Sequence, residues 1–153
     1  MACCEEGYVV FRSGVLTFQL GHAGIFEGCN GNHHRSTAHG LSVIEAMSPE
    51  GVQRTIFENF RSYRWTIVRT KFWGIRTTHE GITRFQQQTI VDAARSMIGR
   101  PYSFWAYNSP DRGFRCDGLV DYVYNQAGVQ ILGRHGRRPI SPNGQFAVLA
   151  CVP

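Results

Sequence analysis

Lysine is almost missing from this chain: of sixteen basic residues, fifteen are arginine and one, Lys71, is lysine. No run of ~20 apolar residues is present, the length a helix needs to cross a bilayer, so no transmembrane segment is expected. The opening residues, Met1-Ala2-Cys3-Cys4-Glu5-Glu6, lack the basic stretch and apolar core of a secretory signal. The compartment is therefore left open: the cytoplasm, or export by a route or leader not seen in these residues. A glycine-rich phosphate loop is missing too, which removes support for nucleotide-dependent chemistry, and no internal repeat is found. Cysteine is sparse and odd in number (Cys3, Cys4, Cys29, Cys116 and Cys151), so at least one thiol stays free in a monomer and no disulfide framework is evident.

What is present is the composition of a globular protein, with 153 residues, 42% of them hydrophobic and 18% charged. That fits a single domain over residues 1–153, which buries roughly two-thirds of its unfolded surface on folding. The net charge is +5, with the arginines spread along the chain and densest at Arg134, Arg137 and Arg138. Arginine suits planar pairing with carboxylates or phosphates, but the spread is that of a solvated surface, and no nucleic-acid partner is expected. Nothing in the sequence sets an oligomeric state.

Short strands are expected at Tyr8–Arg12, His22–Phe26, Leu41–Ala46 and Trp65–Arg69, with a turn at Pro49–Gly51 and strand or irregular structure from Val52 to Tyr63. Helices are expected over Thr83–Ile98, where Ile90, Ala93, Ala94 and Met97 recur at helical spacing before Gly99 and Pro101, and over Cys116–Ala127, stopped by Gly128. The aromatic-rich segment from Arg100 to Arg115 reads as a shaped pocket wall, with Phe104, Trp105 and Phe114 as apolar lining. Val129–Pro153 is turn-rich and closes on the apolar run from Phe146 to Val152. Strands in the first half and helices in the second predict an α+β domain.

Cys116 opens the second helix, where unpaired backbone N–H groups and the helix dipole favour a thiolate. His22 leads a strand and supplies a candidate base, 116 − 22 = 94 residues upstream, a separation that permits contact in space. Glu45, an acid inside an otherwise apolar strand, is the candidate third group to orient the base. The Cys116 backbone N–H, with Tyr102 nearby, is placed to donate to an oxyanion. Taken singly, each has a plainer reading: a buried small residue, a satisfied strand histidine, a surface acid, a core ring.

The ordered set is what carries the assignment. Gly21-His22-Ala23-Gly24-Ile25-Phe26, Val43-Ile44-Glu45-Ala46 and Gly51-Val52, then Gly99-Arg100-Pro101-Tyr102 and Cys116-Asp117-Gly118-Leu119-Val120-Asp121-Tyr122-Val123-Tyr124, resemble NlpC-type papain-like peptidases. Histidine precedes cysteine here, so the chain resembles their circularly permuted branch, the permuted lipoprotein-like amidases related to the lecithin-retinol acyltransferase group. The resemblance implies a curved antiparallel sheet packed against the nucleophile helix, and a Cys-His amidase or peptidase acting through an acyl-thioester on peptides of the bacterial cell-wall type. An acyltransferase or esterase using the same machinery on acyl-containing lipid, and a non-catalytic binding module, are the alternatives. Many relatives carry a small polar residue after the cysteine. This chain has Asp117, which opposes thiolate formation unless it points to solvent or caps the helix. The spacing of Cys29, His33, His34 and His39 matches no strong zinc pattern, so neither metal nor cofactor is expected.

Overall fold

The computed structural model describes residues 5–15, 21–29, 40–139 and 141–151. β1 (Val9–Arg12), β2 (His22–Cys29), β3 (Leu41–Met47) and β4 (Gly51–Ile56) lead into a short helix, α1 (Phe57–Arg61). A small hairpin of β5 (Arg64–Trp65) and β6 (Val68–Arg69) precedes β7 (Phe72–Thr77) and the long helix α2 (Arg84–Met97). A second hairpin, β8 (Asn108–Ser109) with β9 (Gly113–Phe114), enters α3 (Cys116–Gln126). A 3₁₀ turn at Arg134–Gly136, then α4 (Pro142–Val148) and β10 (Ala150–Cys151), follow.

Six strands form one sheet in the order β10-β7-β1-β2-β3-β4, every neighbouring pair antiparallel. Strand periodicity sorts the side chains onto two faces. Val9, Phe11, Ala23, Ile25, Ile44 and Ala46 pack against Ile90 and Ala94 of α2 and Leu119, Val120 and Val123 of α3. Val10, Phe26 and Val43 of the other face pack against Phe57 and Phe60 of α1. The expected α+β class and antiparallel sheet packed against the Cys116 helix are found.

Several local expectations need correction. Trp65–Arg69 is not one strand but a hairpin, because Thr66 turns the chain at φ 53. The undecided stretch after Val52 resolves into β4 and α1. β7 was not expected, since Gly74 interrupts its apolar pattern. Nor was α4, although its start is marked in the sequence: the Ser141 hydroxyl accepts from the Gly144 N–H, and Pro142 occupies the first helical position. The pocket-wall segment contains its own hairpin, and Phe114 is fully buried in the main core, not in a pocket wall.

One buried ion cluster ties α2 to the sheet. β2 is irregular between Phe26 and Gly28, and the intervening Glu27 is fully buried. Its carboxylate accepts from Ser42 Oγ (2.6 Å), Arg54 Nε and Nη2 (2.6 Å each) and Arg95 Nε of α2 (2.7 Å). Burial opposes its charge, but the Arg54, Ser42 and Arg95 hydrogen bonds outweigh that and hold its pKa down at about 2. A depressed carboxylate contributes stability that is complete above its unfolded value, ~4.5, and is lost as pH falls through about 2. Glu27→Gln is expected to lose this acid-side dependence and to cost about 2–4 kcal/mol at neutral pH. Urea unfolding of both proteins across this pH range checks it.

Candidate active site

β2 begins at His22 and β3 carries Glu45 on a neighbouring position of the same face. Directly opposite Glu45 in the register stands Gly24. A Cβ on Gly24 would lie 2.5 Å from Val43 Cγ1 and 3.2 Å from the Ile44 carbonyl oxygen. From its position Glu45 reaches diagonally to His22, two residues before Gly24 on the same face. His22 Nε2 and Glu45 Oε2 are 2.6 Å apart, and since an ionised carboxylate only accepts, Nε2–H donates. The second carboxylate oxygen accepts from Thr55 Oγ1 of β4 at 2.6 Å.

α3 packs on β2 and β3 and brings its first residue, Cys116, close enough to the imidazole to act on its charge. Both residues are nearly enclosed, Cys116 being 6% and His22 8% exposed. Burial pulls the His22 pKa down. The charge and hydrogen bond of Cys116, together with the Glu45 hydrogen bond, overcome this and raise it to about 9, with Arg12 opposing. Glu45 is also buried, which would raise its pKa. His22, Thr55 and Arg12 lower it below the ordinary carboxylate range instead. The structure thus gathers Cys116, His22 and Glu45 into one cluster.

Tyr102, the fourth expected residue, is half-buried beside this cluster and makes an isolated bridge to Phe114. Burial, followed by the charge of Cys116, pushes its hydroxyl up to about 12, so it stays a donor. The Cys116 N–H lies in the first turn of α3, ahead of the first in-helix bond, from Leu119 N–H to the Arg115 carbonyl. Asp117 neither points to solvent nor caps the helix. It is fully buried and held bidentately by Arg115, at 2.6 Å and 2.8 Å, so its charge is matched locally. Gly118 permits a close approach: a Cβ there would lie 1.8 Å from the Tyr107 carbonyl oxygen. Glycine costs this helix interior about 1 kcal/mol against alanine, and it lets the aromatic loop seat on α3.

Two neighbours escaped the sequence reading. Thr55 was one. The other is Arg12, which pairs with His22 in the β1–β2 register and is 2% exposed. Its guanidinium lies over the Tyr63 ring at 4.3 Å and the Phe60 ring at 5.2 Å, and donates to the Ser13 carbonyl at 3.2 Å. Burial lowers its pKa, while Glu45, Tyr63 and Cys116 support its charge. The signal available was a lone cation ending the apolar run Val9-Val10-Phe11.

A cavity of about 320 Å³ next to Cys116 in sequence is lined by Phe104, Trp105, Tyr107, Arg115 and Arg138. Arg138 also donates to Asp121 at 3.0 Å. Among the described residues, no group of three or more His, Cys, Asp or Glu side chains is placed to hold a metal ion. His33, His34 and His39, and the Cys29 side chain, lie outside the described residues.

This arrangement agrees with relationships to known proteins. A 44-residue segment is 48% identical to a probable endopeptidase of Corynebacterium glutamicum, covering 29% of this chain and 20% of that protein. The same figures hold for the probable endopeptidase of a second strain, so the chain spans about a fifth of the length of these curated relatives. The crystal structure of the metalloprotein yiiX from Escherichia coli O157:H7 superposes with a TM-score of 0.61 at 21% identity, over 84% of this chain and 69% of that one. That likeness is one of fold. Among the described residues, no helix is long and apolar enough to cross a membrane. Residues 9–136 match the family described as "Permuted papain-like amidase enzyme, YaeF/YiiX, C92 family". The chain belongs to that permuted papain-like amidase family.

Proposed function

We propose that the protein hydrolyses an amide bond through an acyl-thioester on Cys116, with His22 as acid and base and Glu45 as the group that orients it. The observation that carries this reading is the meeting of three buried side chains: His22 Nε2–H donates to Glu45 at 2.6 Å, and Cys116 at the start of α3 is close enough to raise the His22 pKa. In the resting site the proton sits on His22. The sulfur attacks the carbonyl carbon, and the Cys116 N–H and Tyr102 hydroxyl donate to the resulting oxyanion. His22 passes its proton to the leaving amine, takes one from water, and the water oxygen displaces the sulfur from the acyl group. Arg12 and Thr55 act through their neighbours, holding Glu45 ionised and fixed. The cavity next to Cys116 in sequence is lined by the Phe104, Trp105 and Tyr107 rings and by two arginines, a mixed lining that supports a peptide substrate of the NlpC-type, cell-wall class over an acyl chain.

Cys116→Ala and His22→Ala are each expected to lower kcat/KM on a cleaved peptide by more than about 1,000-fold, without additivity in the double variant. Glu45→Gln is expected to lose about 10- to 100-fold, because the amide oxygen still accepts from Nε2–H. Gly24→Ala should combine a loss of activity with a cost of about 1–3 kcal/mol, as the added methyl crowds Val43 and the Glu45 stem. Kinetics on peptide and lipid-ester panels, with thermal melts of each variant, test these outcomes. Full activity of Cys116→Ala would overturn the reading.

The pH dependence follows from His22. A histidine raised to about 9 contributes stability that is complete below its unfolded value, ~6.5, and is lost as pH rises through about 9. The melting temperature of the wild type should therefore fall over this interval relative to His22→Gln, and kcat should decline above about pH 9 as the imidazolium is lost. At about pH 6, a limiting alkylating agent should modify nearly buried Cys116 faster than exposed Cys151. Mass-spectrometric mapping reads this directly, and His22→Ala should abolish the preference.

A further inference from the structure

The β5–β6 hairpin carries outward the kind of side chains that globular surfaces usually bury. Ile67 is 86% exposed, Trp65 47% and Val68 38%. The hairpin forms its own two-stranded sheet, with Arg64 opposite Arg69 and Trp65 opposite Val68. From Asn59 to His79 the sequence has Arg61, Arg64, Arg69, Lys71 and Arg76 and no acidic residue. Arg76 is spent on the Phe146 and Leu149 carbonyls and the Phe146 ring. Arg64, Arg69 and Lys71 are exposed, and none of them is in an ion pair among the described residues. The single lysine of the chain lies here.

Two properties need one partner. An acidic protein surface accounts for the cations but gives Ile67 nothing apolar to enter. An apolar groove accounts for Ile67 but leaves three desolvated cations beside it. An anionic bilayer meets both requirements: its headgroup boundary accepts the Trp ring and aliphatic chains, and its phosphates face the flanking cations. We propose that the β5–β6 hairpin docks on an anionic membrane surface, with Trp65, Ile67 and Val68 at the headgroup–acyl boundary and Arg64, Arg69 and Lys71 against lipid phosphates. The stem links this surface to the site. The Thr70 N–H and hydroxyl donate to the Tyr63 carbonyl at 3.1 Å and 2.8 Å, and the Tyr63 ring covers Arg12 beside His22. Docking therefore holds one rim of the Cys116 cluster at the bilayer, and it does not depend on the proposed chemistry.

Co-sedimentation of the full chain carrying Cys116→Ala tests this, using equimolar phosphatidylcholine–phosphatidylglycerol vesicles and vesicles of phosphatidylcholine alone. The chain is expected to bind the anionic vesicles and to lose binding as salt is raised, since the attraction is screened within a Debye length. Each cation contributes roughly fivefold to partitioning, so Arg69→Glu with Lys71→Glu should weaken binding by about 25-fold or more. Ile67→Asp, and the milder Ile67→Ser, should weaken it by at least about tenfold while leaving the thermal melt unchanged. The exposed Arg84→Glu at the start of α2 should leave binding as it was. No binding to the anionic vesicles, equal binding to phosphatidylcholine alone, or binding that both Ile67 variants retain in full would each overturn the proposal.

Discussion

A carboxylate removed from water must be matched by charge or hydrogen bonds, or it gives up its own charge. Four acids among the described residues meet that constraint, and the site depends on one of them. Glu45 lies 2% exposed on a central strand and keeps its ionised form through His22, Thr55 and Arg12. The same bond fixes the imidazole and its tautomer. It is a diagonal contact across β2 and β3, from Glu45 to the residue two before its register partner Gly24.

The other three buried acids each take arginine partners. Glu27 draws Arg54 and Arg95, and Asp117 draws Arg115. Arg138 pairs with nearly buried Asp121, Arg76 binds two carbonyls, and Arg12 lies enclosed between rings. A solvated surface was the expectation from their even spread. Arg12 departs from it outright at 2% exposed, while Arg54 and Arg138 pair with buried acids and still keep 42% and 47% of their side chains in solvent. Guanidinium offers several planar donors with weak hydration, so it can serve a buried carboxylate or stack on a ring where an ammonium would lose more solvation. The spread in sequence reflects the spread of buried partners along the chain.

The cluster was legible because its members violate local pattern. His22, Glu45 and Cys116 are each reactive or ionisable residues in apolar strands or at a helix start, and the order of short motifs around them fixed their relation. Thr55 and Arg115 were not legible as participants, since an exposed-looking threonine and a loop arginine break no rule until the strand register and the loop path are known. Asp117 was misread for the same reason: its partner is two residues away, but only the turn into α3 aims Arg115 back at it. The fold was read best where periodicity is long, in α2 and α3. It was read worst in two- to six-residue strands such as β5, β6 and β7, whose assignment depends on pairing and not on composition.

Chain order is the remaining constraint, and the sheet accounts for its irrelevance to the chemistry. The base arrives on β2 and the nucleophile on α3, 116 − 22 = 94 residues later. In between, the chain completes β3 and β4, returns through β7 to pair with the far side of β1, and only then lays α2 and α3 over the face that β1, β2 and β3 share. What the proposed reaction requires is a helix N-terminus meeting the start of a central strand, with a carboxylate one strand away. Any connectivity that preserves those three neighbours preserves the charge balance at the imidazole, and histidine-first order is one such connectivity.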